Sequence, residues 1–241
     1  GDKASGGPGD TASGEWLEGE LRSLGFACQR QTFDMPAYEG DATLSCGAAK
    51  ADLIPQAIVV PTSGEGVTGP LYVVGSGRSG PGVALLVLPH TRWSTIVGFI
   101  AQRVTAAFEA GAAAVVVVTT GPTGEALALN APADRSLFRG PVAVMAPKDA
   151  GPFLLAAGRG EVATLRMSGR AFRRAAFNVT ATLKTGAAKT LVISTPRSGW
   201  FDCAGERGSG MAAWVLLVRW AARARLPVDI ALVATSGHEY E

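Results

Sequence analysis

From Thr190 to Ala234 the chain reads strand, helix, strand. Thr190–Ser194 is a buried-type strand and Asp229–Ala234 a second one. Between them, within Gly208–Ala224, Met211, Trp214, Val215, Val218 and Ala222 recur at helical spacing. Apolar strands joined through a helix imply a parallel pair covered by that helix. A right-handed crossover places both carboxyl tips on one sheet edge, where sites form in such sheets. Both tips are polar. The first continues as Thr195-Pro196-Arg197-Ser198-Gly199-Trp200, then Asp202 and Ala204-Gly205-Glu206-Arg207-Gly208-Ser209-Gly210. The second continues as Thr235-Ser236-Gly237-His238-Glu239-Tyr240-Glu241. A sheet that stops at a strand tip is incomplete, so further chain is expected past Glu241.

The rest of the sequence has a different texture. Residues 1–13 are rich in Gly, Ser and Asp and read as a loop or flexible lead-in. Ser13 is placed to cap a helix running to about Leu24, with Trp16, Leu17, Leu21 and Leu24 on its apolar face and Gly25 ending it. Phe26–Met35 is extended. From Ala37 to Gly169, short apolar runs between Gly/Pro turns predict strands at Ala57–Val60, Leu71–Gly75, Val83–Pro89, Ala113–Thr119, Val142–Ala146 and Val162–Met167. Helices are expected at Ser94–Ala110 and Ala150–Ala157. Beyond Arg173, Ala175–Leu183 is a strand and Gly186 a turn. The expected fold class is α/β: a mixed, largely parallel sheet covered by helices, with an inserted strand-rich domain. The insertion spans 37–170, between the two parts of the first domain, 1–36 and 171–241.

Composition narrows the function. Of the 241 residues, 47% are hydrophobic and 17% charged, against about 25% charged in an ordinary domain, so a large core and not disorder is expected. A net charge of +2 argues against a nucleic-acid partner, which calls for a strongly basic face. No apolar run approaches the roughly 18 residues of a membrane span. Cys28, Cys46 and Cys203 show no Cys-x-x-Cys spacing; they read as buried thiols, with a Cys28–Cys46 disulfide the alternative. His90 and His238 are the only histidines, which limits any metal or general-base chemistry.

Several motifs have bland readings. Gly75-Ser76-Gly77-Arg78-Ser79-Gly80 matches a dinucleotide fingerprint, but a strand follows it where the mechanism needs a helix, so it reads as a surface turn. Asn178-Val179-Thr180 is a glycosylation sequon inside a strand. His90 reads as a loop or capping residue, and Trp93 as packing. Neither Ser198 nor Ser209 lies in G-x-S-x-G, which argues against a serine hydrolase. Trp200, in the polar loop, can form a pocket wall.

At the two strand tips the sequence resembles the di-zinc aminopeptidase family that includes the glutamate carboxypeptidase and transferrin receptor relatives. The resemblance rests on Cys203-Ala204-Gly205-Glu206-Arg207-Gly208-Ser209-Gly210 opening a helix and on Ala234-Thr235-Ser236-Gly237-His238-Glu239 ending the next strand. The middle segment resembles the protease-associated domain inserted in such peptidases, with Ala110-Gly111-Ala112-Ala113 before Val115–Val118 as its cue. The resemblance implies a zinc aminopeptidase-like fold, with Glu206 and Glu239 as metal ligands and His238 where the family keeps its general-base glutamate. Thr195 stands in place of a ligand histidine, and Arg197 in place of its supporting aspartate. A catalytic zinc needs about three protein ligands and an open position, so a degenerate site is expected.

Two functions follow. One is an aminopeptidase-like metallohydrolase with a degenerate metal site. It would act on peptides or related amides, with His238 as base and Arg197 or Arg207 binding a substrate carboxylate beside Thr195 and Trp200. The other is a non-catalytic relative that binds a peptide or protein partner. The family is commonly exported, so an extracytoplasmic location is the default expectation.

Overall fold

The computed structural model describes the chain except residues 1, 57, 90–96, 120–122, 127, 201, 203 and 241, and the side chains of Val97 and Glu206. The readings made for His90, Trp93 and Cys203 lie outside the described residues. In chain order the elements are α1 (Pro8–Ser23), β1 (Ala27–Cys46), β2 (Ala49–Pro55), β3 (Val67–Val73), β4 (Val83–Leu88), α2 (Val97–Glu109), β5 (Ala114–Thr119), β6 (Val142–Met145), α3 (Gly151–Arg159), β7 (Val162–Leu183), β8 (Thr190–Pro196), α4 (Ser209–Arg223) and β9 (Asp229–Thr235). A turn of π-helix, Ala204–Gly208, leads into α4. The chain divides into two compact units, Gly1–Pro36 with Arg173–Glu241, and Ala37–Phe172.

In the first unit β9 is the central strand. It pairs antiparallel with β7, from Val179 opposite Ala234 to Leu183 opposite Ile230. On its other side it pairs parallel with β8, from Thr190 opposite Asp229 to Pro196 opposite Thr235. Helices α1 and α4 bury Leu17, Leu21, Trp214 and Val218 against Val179, Ile193, Ile230 and Leu232. Each large apolar side chain removed from water contributes about 1.5–3 kcal/mol, and this layer fixes the strands whose tips carry the site.

Helix α1 starts at Pro8, five residues before the expected cap at Ser13. Pro8 has no N–H to lose at a first-turn position, and Gly7 before it is extended (φ −75°, ψ 172°). Asp10, in that first turn, accepts the Gly6 amide at 2.9 Å. The lead-in is therefore ordered from the proline onward.

Asp229 opens β9 and closes the 184–186 turn. Its Oδ1 accepts the Thr185 and Gly186 amides at 2.8 and 3.2 Å, and Lys184 Nζ lies 3.0 Å from Oδ2. The Thr185 amide, followed by Lys184, depresses the carboxyl pKa to about 2. A depressed folded-state pKa adds stability above the unfolded value, near 3.9, which disappears as pH falls through the folded one. Asp229→Asn should therefore flatten the stability profile between about pH 4 and pH 2, read by urea unfolding across that range. An unchanged acid limb would count against it.

The second unit contains the parallel run β3-β4-β5-β6. Antiparallel β2 lies beside β6, β1 beside β2, and β7 beside β3. Alternate residues of β4 and β5 face opposite ways. Leu85 and Val116 meet Phe153 of α3, while Leu86 and Val117 meet Ile100 and Val104 of α2. Burial on both faces explains why these strands are continuous apolar runs without alternation.

Three local expectations differ. Residues 58–60 are not a strand; Ile58 adopts φ 54°, a left-handed conformation that a β-branched residue rarely takes. Val162–Met167 and Ala175–Leu183 are the two ends of the single strand β7. Cys28 and Cys46 are free, so the alternative disulfide is not formed. Among the described residues no helix is long and apolar enough to cross a membrane.

Candidate functional site

Because β8 and β9 are parallel and paired to their last residues, the segments leaving Pro196 and Thr235 start from the same sheet edge. The Arg197 amide donates to Thr235 O at 2.8 Å and joins them. The polar side chains beyond this point form two buried networks.

Glu239, 1% exposed, anchors the first. Ser5 Oγ donates to its Oε2 at 2.8 Å, and Ser198 Oγ lies 3.0 and 3.2 Å from its two oxygens. The Gly237 amide donates to both serine hydroxyls, at 3.1 and 2.9 Å. His238 Nδ1 lies 3.0 Å from Oε1. Burial pushes the Glu239 carboxyl up, but hydrogen bonds from His238 and Ser5 together outweigh it and hold the group below its ordinary range. Arg207 donates its Nη2 proton to His238 Nε2 and its Nε proton to Ser198 O at 3.1 Å. Since arginine only donates, Nε2 is the acceptor and the imidazole proton sits on Nδ1, facing Glu239.

Arg197, 1% exposed, anchors the second. Its Nη1 lies 2.7 Å from Asp10 Oδ1 and also donates to Asp10 O, while Nη2 donates to Phe177 O at 2.5 Å. The guanidinium stacks on the Phe177 ring with its carbon 4.9 Å from the centroid. Asp10 Oδ2 accepts Ser236 Oγ at 2.7 Å, and Asn178 Oδ1 accepts the Ser236 amide at 2.9 Å. Burial pulls the Arg197 pKa down, Asp10 raises it and Arg30 lowers it.

The residues expected from sequence thus have distinct places. Glu239, His238 and Arg207 lie in one hydrogen-bonded chain. Trp200 meets Tyr240 edge-on, ring centroids 5.2 Å apart. Thr195 is buried at the end of β8, its hydroxyl on Pro196 O at 3.2 Å. Arg197, expected to face a substrate, is an internal group bound to Asp10. Glu206 sits on the π-turn into α4, and its side chain lies outside the described residues. Sequence reading missed Ser5, Asp10 and Ser236. The one local signal for them was Pro8 followed by Asp10, a helix-start pair.

A metal needs donors with free lone pairs. Both Glu239 oxygens already accept hydrogen bonds, His238 Nε2 accepts from Arg207, and the neighbouring buried cation is Arg197. Among the described residues no group of three His, Cys, Asp or Glu side chains is placed to hold an ion. The described side chains at the two tips do not by themselves complete the three-ligand set of a catalytic zinc.

No family model and no curated protein matches the sequence. Solved structures do. The zinc aminopeptidase BSAP from Bacillus subtilis superposes with a TM-score of 0.73 at 18% identity, over 98% of this chain and 57% of its own. An aminopeptidase from Aneurinibacillus sp. strain AM-1 gives 0.66 at 20%, over 99% and 60%. The peptidase M28 precursor of Shewanella amazonensis SB2B gives 0.76 at 17%, over 100% and 61%. These likenesses show the fold, a zinc aminopeptidase-like α/β fold, and the chain spans about three fifths of the length of these structures.

Proposed function

We propose that the chain belongs to a peptidase-like protein with a degenerate metal site, holding peptides or related amides at the β8 and β9 tips without zinc-driven turnover. The observation that carries this reading is the engagement of the buried Glu239 carboxylate by protein groups. Its carboxylate is buried under Ser5, Ser198 and His238, so coordinating a metal would strip donors from a buried anion. The likeness to aminopeptidases supports a peptide ligand. The Trp200–Tyr240 ring pair and the Arg207–His238 contact belong to the same two strand-tip segments, and an aromatic surface together with a cationic group suits a peptide terminus. The strand-rich segment at 37–170 is, on this reading, a protease-associated-like insertion.

The test is metal analysis of the whole purified protein together with an assay on aminoacyl anilides and short peptides, with and without chelator. Zinc far below one equivalent, peptide binding, and no chelator-sensitive turnover are expected. Stoichiometric zinc with chelator-sensitive hydrolysis would overturn the proposal. That outcome belongs to a second reading, a working aminopeptidase-like metallohydrolase. The position of Glu206 on the π-turn opening α4 favours it, since that turn follows the β8 tip.

A further inference from the structure

We infer that Arg197 is the permanent cation of this site, a fixed internal charge that seats the N-terminal segment Ser5–Asp10 on the tips of β8 and β9. This rests on the reading of the site as degenerate, and extends it from what the site lacks to what replaces it.

Three observations converge. First, the guanidinium bridges segments remote in sequence. It binds the Asp10 carboxylate and carbonyl in α1, binds the Phe177 carbonyl in β7, and is itself carried at the end of β8. Second, Asp10 passes the charge on. Its second oxygen holds the Gly6 amide and the Ser236 hydroxyl, tying the lead-in to the β9 tip. Third, the backbone is shaped around the guanidinium. A Cβ on Gly14, one turn after Asp10, would lie 2.9 Å from Arg197 Nη1 and 2.6 Å from the Phe177 ring. The missing side chain at Gly14 leaves the room that the ring and the guanidinium fill.

A multivalent ion can gather carboxylates from separate segments, and its binding free energy then becomes folding free energy. Here a covalently attached guanidinium with several donors does the same, and always carries its charge. The seating of residues 5–10 should therefore be indifferent to metal and sensitive to the Asp10–Arg197 pair.

The experiment is thermal unfolding and amide hydrogen exchange on the whole protein. Arg197→Met strands the Asp10 carboxylate and should lower Tm by about 10 °C. Exchange at residues 5–10 should rise roughly tenfold or more while the α4 core stays protected. Asp10→Asn combined with Arg197→Met removes both charges and should recover more than half of the Tm loss, and Arg197→Lys should recover a smaller part. Chelator or added zinc should leave the wild-type Tm unchanged. Should Arg197→Met fail to fold, the double variant and the wild-type arms still decide. Additive effects of the two substitutions, uniform loss of protection, or a chelator-induced fall in Tm would overturn the inference. Chelator-sensitive turnover with the pair still strongly coupled would overturn the proposed function and leave this inference standing.

Discussion

Glu239→Ala is expected to destabilise the unit formed by residues 1–36 and 173–241 by about 4 kcal/mol. The side chain is 1% exposed, so truncation leaves the hydroxyls of Ser5 and Ser198 and the Nδ1–H of His238 facing a hole. Each stranded hydroxyl loses a charge-assisted hydrogen bond and keeps its desolvation penalty, and His238 loses the carboxylate it faces at 3.0 Å. Glu239→Gln keeps the shape and one acceptor, so a loss of about half that size is expected. The two variants also differ with pH. The folded carboxyl lies below its ordinary range, so its contribution is present above the unfolded value of about 4.3 and fades as pH falls through the folded one. Glu239→Gln should remove that acid sensitivity. Denaturant unfolding at neutral pH and below about pH 4 checks both. A wild-type stability at Glu239→Ala would mean that the carboxylate is not held as described.

What was legible in the sequence was periodic. The helix around Trp214 and Val218 and the strands ending at Pro196 and Thr235 announced themselves by spacing, and their order implied converging tips. The α/β class with a mixed sheet followed from that order and is the observed one. Strands β1 and β2 were less visible. Of β1 only the part within Phe26–Met35 reads as extended; its second half buries Ala42, Leu44 and Cys46 at alternate positions, but Gly40, Asp41, Thr43 and Ser45 among them blur the apolar pattern.

The interior of the site was hidden for a different reason. Charged residues are almost never fully buried unless paired, so Arg197 in a polar loop reads as an outward-facing ligand group. Its partner lies 187 residues away, in a Gly- and Ser-rich lead-in whose composition suggests a loop. Ser5 is 234 residues from Glu239. Contacts of that range depend on how layers stack, and no local pattern encodes them. Glu239 and His238 were found because they lie directly on a strand tip.

Gly14→Ala should destabilise the same unit by about 3 kcal/mol, the upper end for overpacking. In α1 an alanine would ordinarily stabilise by roughly 1 kcal/mol over glycine, so propensity and packing predict opposite signs. Packing decides, because the methyl would sit 2.6 Å from Phe177 ring carbons and 2.9 Å from Arg197 Nη1, and neither neighbour is free to yield. Moving the ring breaks its stack with Arg197 and with Arg30, whose guanidinium carbon lies 4.5 Å from the ring centroid. Moving the guanidinium lengthens its contacts to Asp10 and to the Phe177 carbonyl. Gly19, on the same helix with nothing near its Cβ position, supplies the control: Gly19→Ala should stabilise by up to about 1 kcal/mol. Urea unfolding of the two variants side by side checks the contrast. If both substitutions stabilise alike, the cradle around Arg197 is looser than its contacts imply.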